Sequence, residues 1–195
     1  DGLDRLTAAN GIWGAGGFNY DGLDNLRGST VGGRSLAHNV DPASNRLTSL
    51  TGSQSLAIGY DANGNVTQRG AQAYTFDIGN RLVSATGKAS YGYDGHGRRA
   101  WVAYANGTWK MQFYSQDGQL LFARHSTQGD SRNFYLGGRL VADATGFSHT
   151  DALGSPVAHT NRIAQIVDRT RYEPYGGTAA GTNPTGLGFT GHVND

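Results

Sequence analysis

Tyr20-Asp21-Gly22-Leu23-Asp24-Asn25-Leu26, Tyr60-Asp61-Ala62-Asn63-Gly64-Asn65-Val66 and Tyr93-Asp94-Gly95-His96-Gly97-Arg98-Arg99 are three copies of one pattern. Weaker copies lie between them: Val40-Asp41 running to Asn45-Arg46-Leu47, and Phe76-Asp77 running to Asn80-Arg81-Leu82. Asp1-Gly2-Leu3-Asp4-Arg5-Leu6 fits the same pattern without its leading Tyr. The aspartates at 1, 21, 41, 61, 77 and 94 stand 20, 20, 20, 16 and 17 residues apart. A period near 20 marks a repeat architecture, in which one small unit stacks on the next to bury a shared core.

Each copy carries the chemistry of a β-hairpin. A strand ends at Tyr-Asp, a turn rich in Gly and Asn follows, and a second strand returns. Asp and Asn bond their own downstream backbone and tolerate left-handed conformations, and Gly adopts positive φ freely. The Tyr ring can lie on the core with its hydroxyl at a polar edge. Composition agrees: 31 of 195 residues are Gly, and the chain holds one Glu and two Lys among abundant Tyr, Thr, Asp and Arg. Those residues favour strands and turns over helices. The expected fold is all-β, a series of antiparallel hairpins in a curved sheet.

A formal net charge of +1 leaves no electrostatic footprint for nucleic acid or an anionic membrane. No run of 18 apolar residues is present to span a bilayer as a helix. The absence of Cys excludes disulfides and thiolate metal sites. The chain opens inside a repeat with no basic-then-apolar leader, so it reads as a fragment.

The sharpest hairpin signal is Trp101-Val102-Ala103-Tyr104-Ala105-Asn106-Gly107-Thr108-Trp109-Lys110-Met111-Gln112-Phe113-Tyr114. Asn-Gly as a two-residue turn predicts Ala105 opposite Thr108 and Tyr104 opposite Trp109. Val102, Tyr104, Trp109, Met111 and Phe113 then form a buried face, with Trp101, Ala103, Lys110 and Gln112 facing water. The pattern recurs at Tyr114-Ser115-Gln116-Asp117-Gly118-Gln119-Leu120 and at Tyr135-Leu136-Gly137-Gly138-Arg139-Leu140. It changes character near residue 145, and residues 177–186 read as a loop.

Four later motifs complete the chain: Tyr135-Leu136-Gly137-Gly138-Arg139-Leu140, His149-Thr150-Asp151-Ala152-Leu153-Gly154-Ser155-Pro156, Arg171-Tyr172-Glu173-Pro174-Tyr175-Gly176 and Gly188-Phe189-Thr190-Gly191-His192. With the Tyr-Asp copies they make the sequence resemble the RHS/YD-repeat proteins along essentially its whole length. The later motifs resemble the start of the RHS-associated core. The resemblance implies repeat hairpins over 1–144 and a truncated core over 145–195. It implies a segment of a spiral β-shell enclosing a C-terminal toxic domain for delivery to competing cells. In such proteins the core continues to a self-cleavage site and a variable toxin, which do not occur before Asp195. The structural positions it points to are Tyr20, Asp21, Tyr60, Asp61, Tyr93, Asp94, Tyr135 and Gly138. Its core positions are His149, Asp151, Gly154, Pro156, Arg171, Tyr172, Pro174, Tyr175 and Gly176.

Motifs with catalytic or ligand-binding precedent are weak. Asp61-x-Asn63-x-Asn65 begins like a calcium loop, but its sixth position is Val66 where Gly is needed and its twelfth is Gln72 where Glu is needed. Gly95-x-Gly97-x-x-Ala100 nominally fits a dinucleotide fingerprint but leads into the Asn106-Gly107 hairpin, not a helix. His149, Asp151 and His159 read either as ligands or an acid–base group, or as hydrogen-bonded hairpin residues; with no third ligand at telling spacing, the second is favoured. Asp168, Arg169, Arg171 and Glu173 read as paired surface charges.

The sequence therefore points to a non-enzymatic scaffold with no metal and no cofactor. Its expected partners are the rest of the RHS shell and the toxin domain of the same polypeptide, with secretion-apparatus spike proteins and glycans as further candidates. The expected setting is export by a bacterium, through a type VI or contact-dependent route, or display at the cell surface. The alternative is a glycan- or protein-binding adhesive module built on the aromatic residues.

Overall fold

The computed structural model describes residues 1–181 and 187–192. It is all-β apart from two short 3-10 turns among the described residues. The chain divides into two compact units, residues 1–89 and 90–195. The first contains β1 (Ala8–Gly11), β2 (Gly14–Tyr20), β3 (Leu26–Val31), β4 (Arg34–Asp41), β5 (Arg46–Gly52), β6 (Leu56–Tyr60), β7 (Val66–Arg69), β8 (Gln72–Phe76) and β9 (Leu82–Ala85). Each pairs antiparallel with the next in sequence.

The second unit begins within β10 (Ala89–Tyr93). It continues through β11 (Arg99–Tyr104), β12 (Trp109–Tyr114), β13 (Leu120–His125), β14 (Gly129–Leu136), β15 (Arg139–Asp143), β16 (Gly146–Thr150), β17 (Pro156–Asn161) and β18 (Ile166–Arg169). From β11 to β18 the pairing is again antiparallel and consecutive. A separate pair, β19 (Arg171–Tyr172) and β20 (Thr178–Ala180), follows. β20 thus occupies part of the stretch read as a loop from composition; residues 182–186 of that stretch lie outside the described residues.

One turn recurs through both units. In the copy at Asp21, its N–H donates to Asn25 O at 3.0 Å and the Asp24 N–H donates back to Asp21 O at 3.3 Å. The Asp21 carboxylate meanwhile accepts from the N–H groups of Leu23 and Asn25. Asp77, Asp94 and Asp151 build the same turn, accepting from residues two and four further on. With the Asp61 turn, closed by the same pair of backbone bonds, the fourth residue needs a left-handed backbone, and for Asp21, Asp61, Asp77, Asp94 and Asp151 it is Asp24 (φ 65), Gly64 (φ 91), Asn80 (φ 59), Gly97 (φ 77) and Gly154 (φ 86) in turn. Those are the residue types that reach this region at least cost. An unannounced copy occurs at Asn161, whose Oδ1 accepts from Ile163 and Gln165. Its fourth residue is Ala164 at φ 61.

The Trp101–Tyr114 hairpin departs from the register expected for it. Trp101 faces Met111 and Ala103 faces Trp109. The Tyr104 N–H donates to Thr108 O at 2.9 Å, so three residues, Ala105 to Gly107, make the loop. Gly107 takes the left-handed position (φ 83) and the Asn106 Oδ1 accepts from the Thr108 N–H. This is the three-residue loop, not the two-residue turn, and one extra residue turns β12 over. Met111 and Phe113 therefore lie on the exposed face, while Val102 and Gln112 are buried at 0% and 2% exposure. The Gln112 amide is buried with no hydrogen-bond partner on either atom.

Ala164 is the one described copy of the recurrent turn in which a β-carbon without a polar side chain sits at left-handed φ, a strain of about 1–2 kcal/mol. Ala164→Gly should raise the unfolding free energy by about 0.5–1 kcal/mol once the added chain entropy of Gly is deducted. A denaturant midpoint that stays put or falls would show that the turn relieves the strain elsewhere.

Candidate functional site: the inter-repeat tyrosine bridges

The hairpin Tyr residues reach back one repeat. The Tyr20 hydroxyl donates to Leu6 O at 2.8 Å and the Tyr60 hydroxyl to Leu47 O at 2.8 Å. In the second unit Tyr114 donates to Arg99 O at 3.1 Å, Tyr135 to Leu120 O at 3.2 Å and Tyr172 to Pro156 O at 2.8 Å. Every acceptor is the first or second residue after the preceding turn, where backbone pairing leaves a carbonyl at the strand's end. Burial raises the phenol pKa of Tyr135 and Tyr172 above the ordinary value, which keeps both as donors.

The Arg that precedes those acceptors supplies a second contact. Arg5 lies 4.9 Å from the Tyr20 ring centre, Arg46 5.3 Å from that of Tyr60 and Arg98 6.0 Å from that of Tyr114. The guanidinium then reaches the next turn: Arg5 bonds Asp21 O and Asp24 Oδ1, and Arg98 bonds Ser115 O and Gln116 O. At Arg5, Arg46 and Arg98 the pair that follows the turn is thus a receptor for the following Tyr, with cation–π attraction on the ring and a carbonyl for the hydroxyl; Leu120 and Pro156, which follow Gln119 and Ser155, supply the carbonyl. Where the Arg is replaced by Asn the turns still meet, as Asn25 Nδ2 on Asn45 Oδ1 (2.7 Å) and Asn65 Nδ2 on Asn80 Oδ1 (2.8 Å).

The core motifs converge on the Asp151 turn. Tyr172 bonds the Pro156 carbonyl and its ring packs 5.4 Å from Phe189. Gly176 lies beneath Phe189, whose ring a β-carbon there would meet at 2.5 Å. The Thr190 N–H donates to the Oγ of Ser155, a fully buried residue. Pro174 and Tyr175 occupy the first 3-10 turn, closed by the Glu173 N–H on Gly177 O, and Tyr175 is left-handed at φ 68. Arg171 stands apart in β19 opposite Ala180, and Gly138 turns the β14–β15 hairpin at φ 83.

The other chemical candidates do not assemble. His149 Nε2 meets Thr160 Oγ1 at 3.0 Å, whereas His159 Nε2 meets Thr145 Oγ1 at 3.0 Å and lies 3.8 Å from Asp143. The Asp151 carboxylate serves its own turn. The Asp61 carboxylate accepts from the Asn65 N–H and Nδ2, so the calcium-like stretch spends its oxygens on the chain. No group of three potential metal ligands occurs among the described residues. Asp168 and Arg169 lie in β18, and Arg171 lies on the separate β19–β20 ladder.

Antiparallel hairpins tied together by half-buried tyrosines define a repeat-built structural protein. The Teneurin YD-shell family model matches residues 1–195, and the chain belongs to that family. It is 28% identical over 193 residues to the tRNA3(Ser)-specific nuclease WapA of Bacillus spizizenii and, over the same length, to the tRNA nuclease WapA of Bacillus subtilis. Each match covers 91% of this chain and 8% of the relative's length. Among solved structures, TcdB2-TccC3-TEV aligns with 93% of this chain and 14% of its own at 15% identity and a TM-score of 0.49. TcdB2-TccC3 aligns with 99% of this chain and 17% of its own at 12% identity and a TM-score of 0.45.

Two tests address the bridges and the turns. Tyr60→Phe removes one part-buried hydrogen bond and should cost about 1 kcal/mol. In a double-mutant cycle with Arg46→Met, Tyr60→Leu should show a coupling of about 0.5–1 kcal/mol, the cation–π share; zero coupling would reduce Arg46 to a bystander.

Acid stability reports the turns. The carboxyl pKa of Asp21 and Asp61 is lowered by the side chains of Asn25 and Asn65, that of Asp41 by Ser44, that of Asp77 by Arg81 and that of Asp94 by the Arg98 backbone N–H. A depressed folded pKa gives stability that is present above the unfolded value near 3.8 and is lost as pH falls through the folded value. Unfolding midpoints should therefore decline below about pH 4. Asp94→Asn, which reproduces the natural Asn161 turn, should shallow that decline by lowering the neutral plateau toward the acid value, because the amide lacks the charge that the Arg98 N–H favours. A wild-type profile flat from pH 5 to 2 would sink this account of the turns.

Proposed function

We propose that the chain is a wall segment of the shell of an exported bacterial polymorphic toxin, enclosing a toxic domain carried elsewhere on the same polypeptide. The observation that carries the reading is the set of tyrosine bridges, which ties the repeats at Tyr20, Tyr60, Tyr114, Tyr135 and Tyr172 to the ones before them and leaves those side chains committed to structure. The mechanism is steric: backbone ladders and bridges together resist local opening, so a passenger behind them is kept from the producing cell's own components. Membership of the YD-shell family and the likeness to WapA relatives whose names describe tRNA nucleases support it. Because this chain spans 8% of those relatives, nuclease activity is assigned to other parts of such a protein.

Within this reading, residues 1–144 are wall repeats and residues 145–195 begin the core that follows them. The structural positions are Tyr20, Asp21, Tyr60, Asp61, Tyr93, Asp94, Tyr135 and Gly138, and the core positions gather around the Asp151 turn. The partners are the remaining shell and the passenger, with spike proteins of a type VI apparatus as carriers and the cell surface as an alternative destination.

A second reading rests on a specific surface. On one face of the second unit Trp101 and Trp109 stack at 5.3 Å, and Met111, Phe113, Phe134 and Phe147 are 38–53% exposed. Such rings suit an adhesive, glycan-binding face.

Limited proteolysis of the full-length protein separates the readings. Encapsulation predicts a passenger that resists protease in the wild type and is cut in a Tyr60→Ala, Tyr114→Ala variant that retains its β-sheet circular dichroism. A passenger cut equally in both proteins would rule encapsulation out. Glycan-array binding abolished by Trp101→Ala and Phe113→Ser would then put adhesion in its place.

A further inference from the structure

His38 sits in β4 opposite Leu50 of β5. Its Nδ1 is buried and has no hydrogen-bond partner. On the other side, β3 pairs with β4 as far as Gly28 opposite Ala37. Arg27, the residue before Gly28 and the charged residue of β3, has its guanidinium 3.4 Å from the Asp21 carboxylate. From β5 the facing residue is apolar, and no carboxylate stands opposite His38 on either neighbouring strand. The nearest acidic residue along its own strand is Asp41, whose carboxylate is occupied by the Ser44 hydroxyl and N–H.

We propose that His38 makes the β3–β4–β5 region of the first unit an acid-sensitive element, which loosens as the medium passes from neutral to mildly acidic. A neutral imidazole with its proton on Nε2 leaves only a bare lone pair at the buried Nδ1. An imidazolium must place an N–H there with no acceptor, in a half-buried site beside a leucine. Both effects disfavour the charged form in the fold. The pKa of His38 is accordingly lowered by burial from its ordinary 6.5.

For a base whose folded pKa is lowered, stability is full above the unfolded value. It falls as the pH drops below about 6.5, where the unfolded chain takes up the proton and the folded one does not. The loss levels off once the folded value is passed. This window is separate from the carboxylate window below about pH 4 described above. The element does not depend on the shell reading. If that reading holds, it gives the wall a preferred place to yield in an acidified compartment.

Hydrogen exchange of the full-length protein at several pH values, corrected for intrinsic exchange rates, tests the proposal. Amides of β4 and β5 should lose protection between pH 7 and pH 5, with an opening constant rising by up to about tenfold per pH unit, the limit for one proton. His38→Phe should abolish that dependence in β4 and β5. A local readout separates β4 and β5 from the other five histidines, His96, His125, His149, His159 and His192, all of which lie in the second unit. Arg27→Gln, which leaves the imidazole and Leu50 untouched, should keep the pH dependence in β4 and β5. Should His38→Phe fail to fold, the wild-type and Arg27→Gln profiles still decide. Unchanged protection of β4 and β5 from pH 7 to pH 5 in the wild type would overturn the proposal.

Discussion

A phenol hydroxyl on the carbonyl of the previous repeat is the interaction on which the rest of this structure depends. Few apolar side chains are buried: Phe18, Ala85, Val102, Leu120 and Ala123 are those among the described residues. Hairpins that share so thin an apolar core cannot hold together by burial alone. Backbone ladders join the strands, but a two-stranded hairpin is marginal by itself and a ladder can slip. A Tyr that must place its hydroxyl within 3 Å or so of one particular carbonyl, at Tyr20, Tyr60 and Tyr114 also beside one particular Arg, fixes the register of its hairpin on the neighbour. Each bridge contributes on the order of 1 kcal/mol, and several such terms matter against the 5–15 kcal/mol that holds a typical domain.

The turn explains why the bridge can recur with different residues around it. Its demands are two: an oxygen at the first position to accept two N–H groups, and a fourth residue that tolerates positive φ. Asp at 21, 77, 94 and 151 and Asn at 161 meet the first demand equally, since either presents one Oδ1 to both donors. Ser115 meets it with a shorter side chain, its Oγ accepting from Gln119. Because the turn fixes the chain two residues before the carbonyl that receives the next Tyr, each turn also positions the next bridge. Local turn chemistry and contacts between repeats are in this sense one device.

Much of this was legible in the sequence. The period near 20, the Tyr-Asp pairs and the Gly and Asn between them define the hairpins, because turn residues act locally and leave their signature within five positions. The weak copies at Asp41 and Asp77 form turns as well, with Asn45 and Asn80 at positive φ. What escaped was information held across strands. Asn106-Gly107 fits a two-residue and a three-residue loop equally well, and only the pairing of Ala103 with Trp109 distinguishes them. The single-residue difference exchanged the buried and exposed faces of β12. The Arg of each Arg-Leu pair looked like a strand residue because its Tyr partner lies about 15 positions away. Asn161 was hidden for a related reason: Thr160 precedes it where the pattern has Tyr, and Asn replaces Asp.

The positions without a tyrosine show where such a wall is unequal. Val40 and Phe76 hold the hairpin position before Asp41 and Asp77 and have no hydroxyl to give. β4 compensates in part with six paired residues along β5 and with the Asn25–Asn45 contact between turns. It also carries the buried, unpartnered imidazole nitrogen of His38. Toward β3, then, the hydroxyl that anchors Tyr20 and Tyr60 is missing, and the same strand houses a group whose charged form the fold opposes. Local stability in a repeat protein is a sum of terms within and between neighbouring repeats. A repeat that lacks its bridge has less to lose before it opens, so a single proton at His38 counts for more in β4 than it would in a strand secured by a tyrosine.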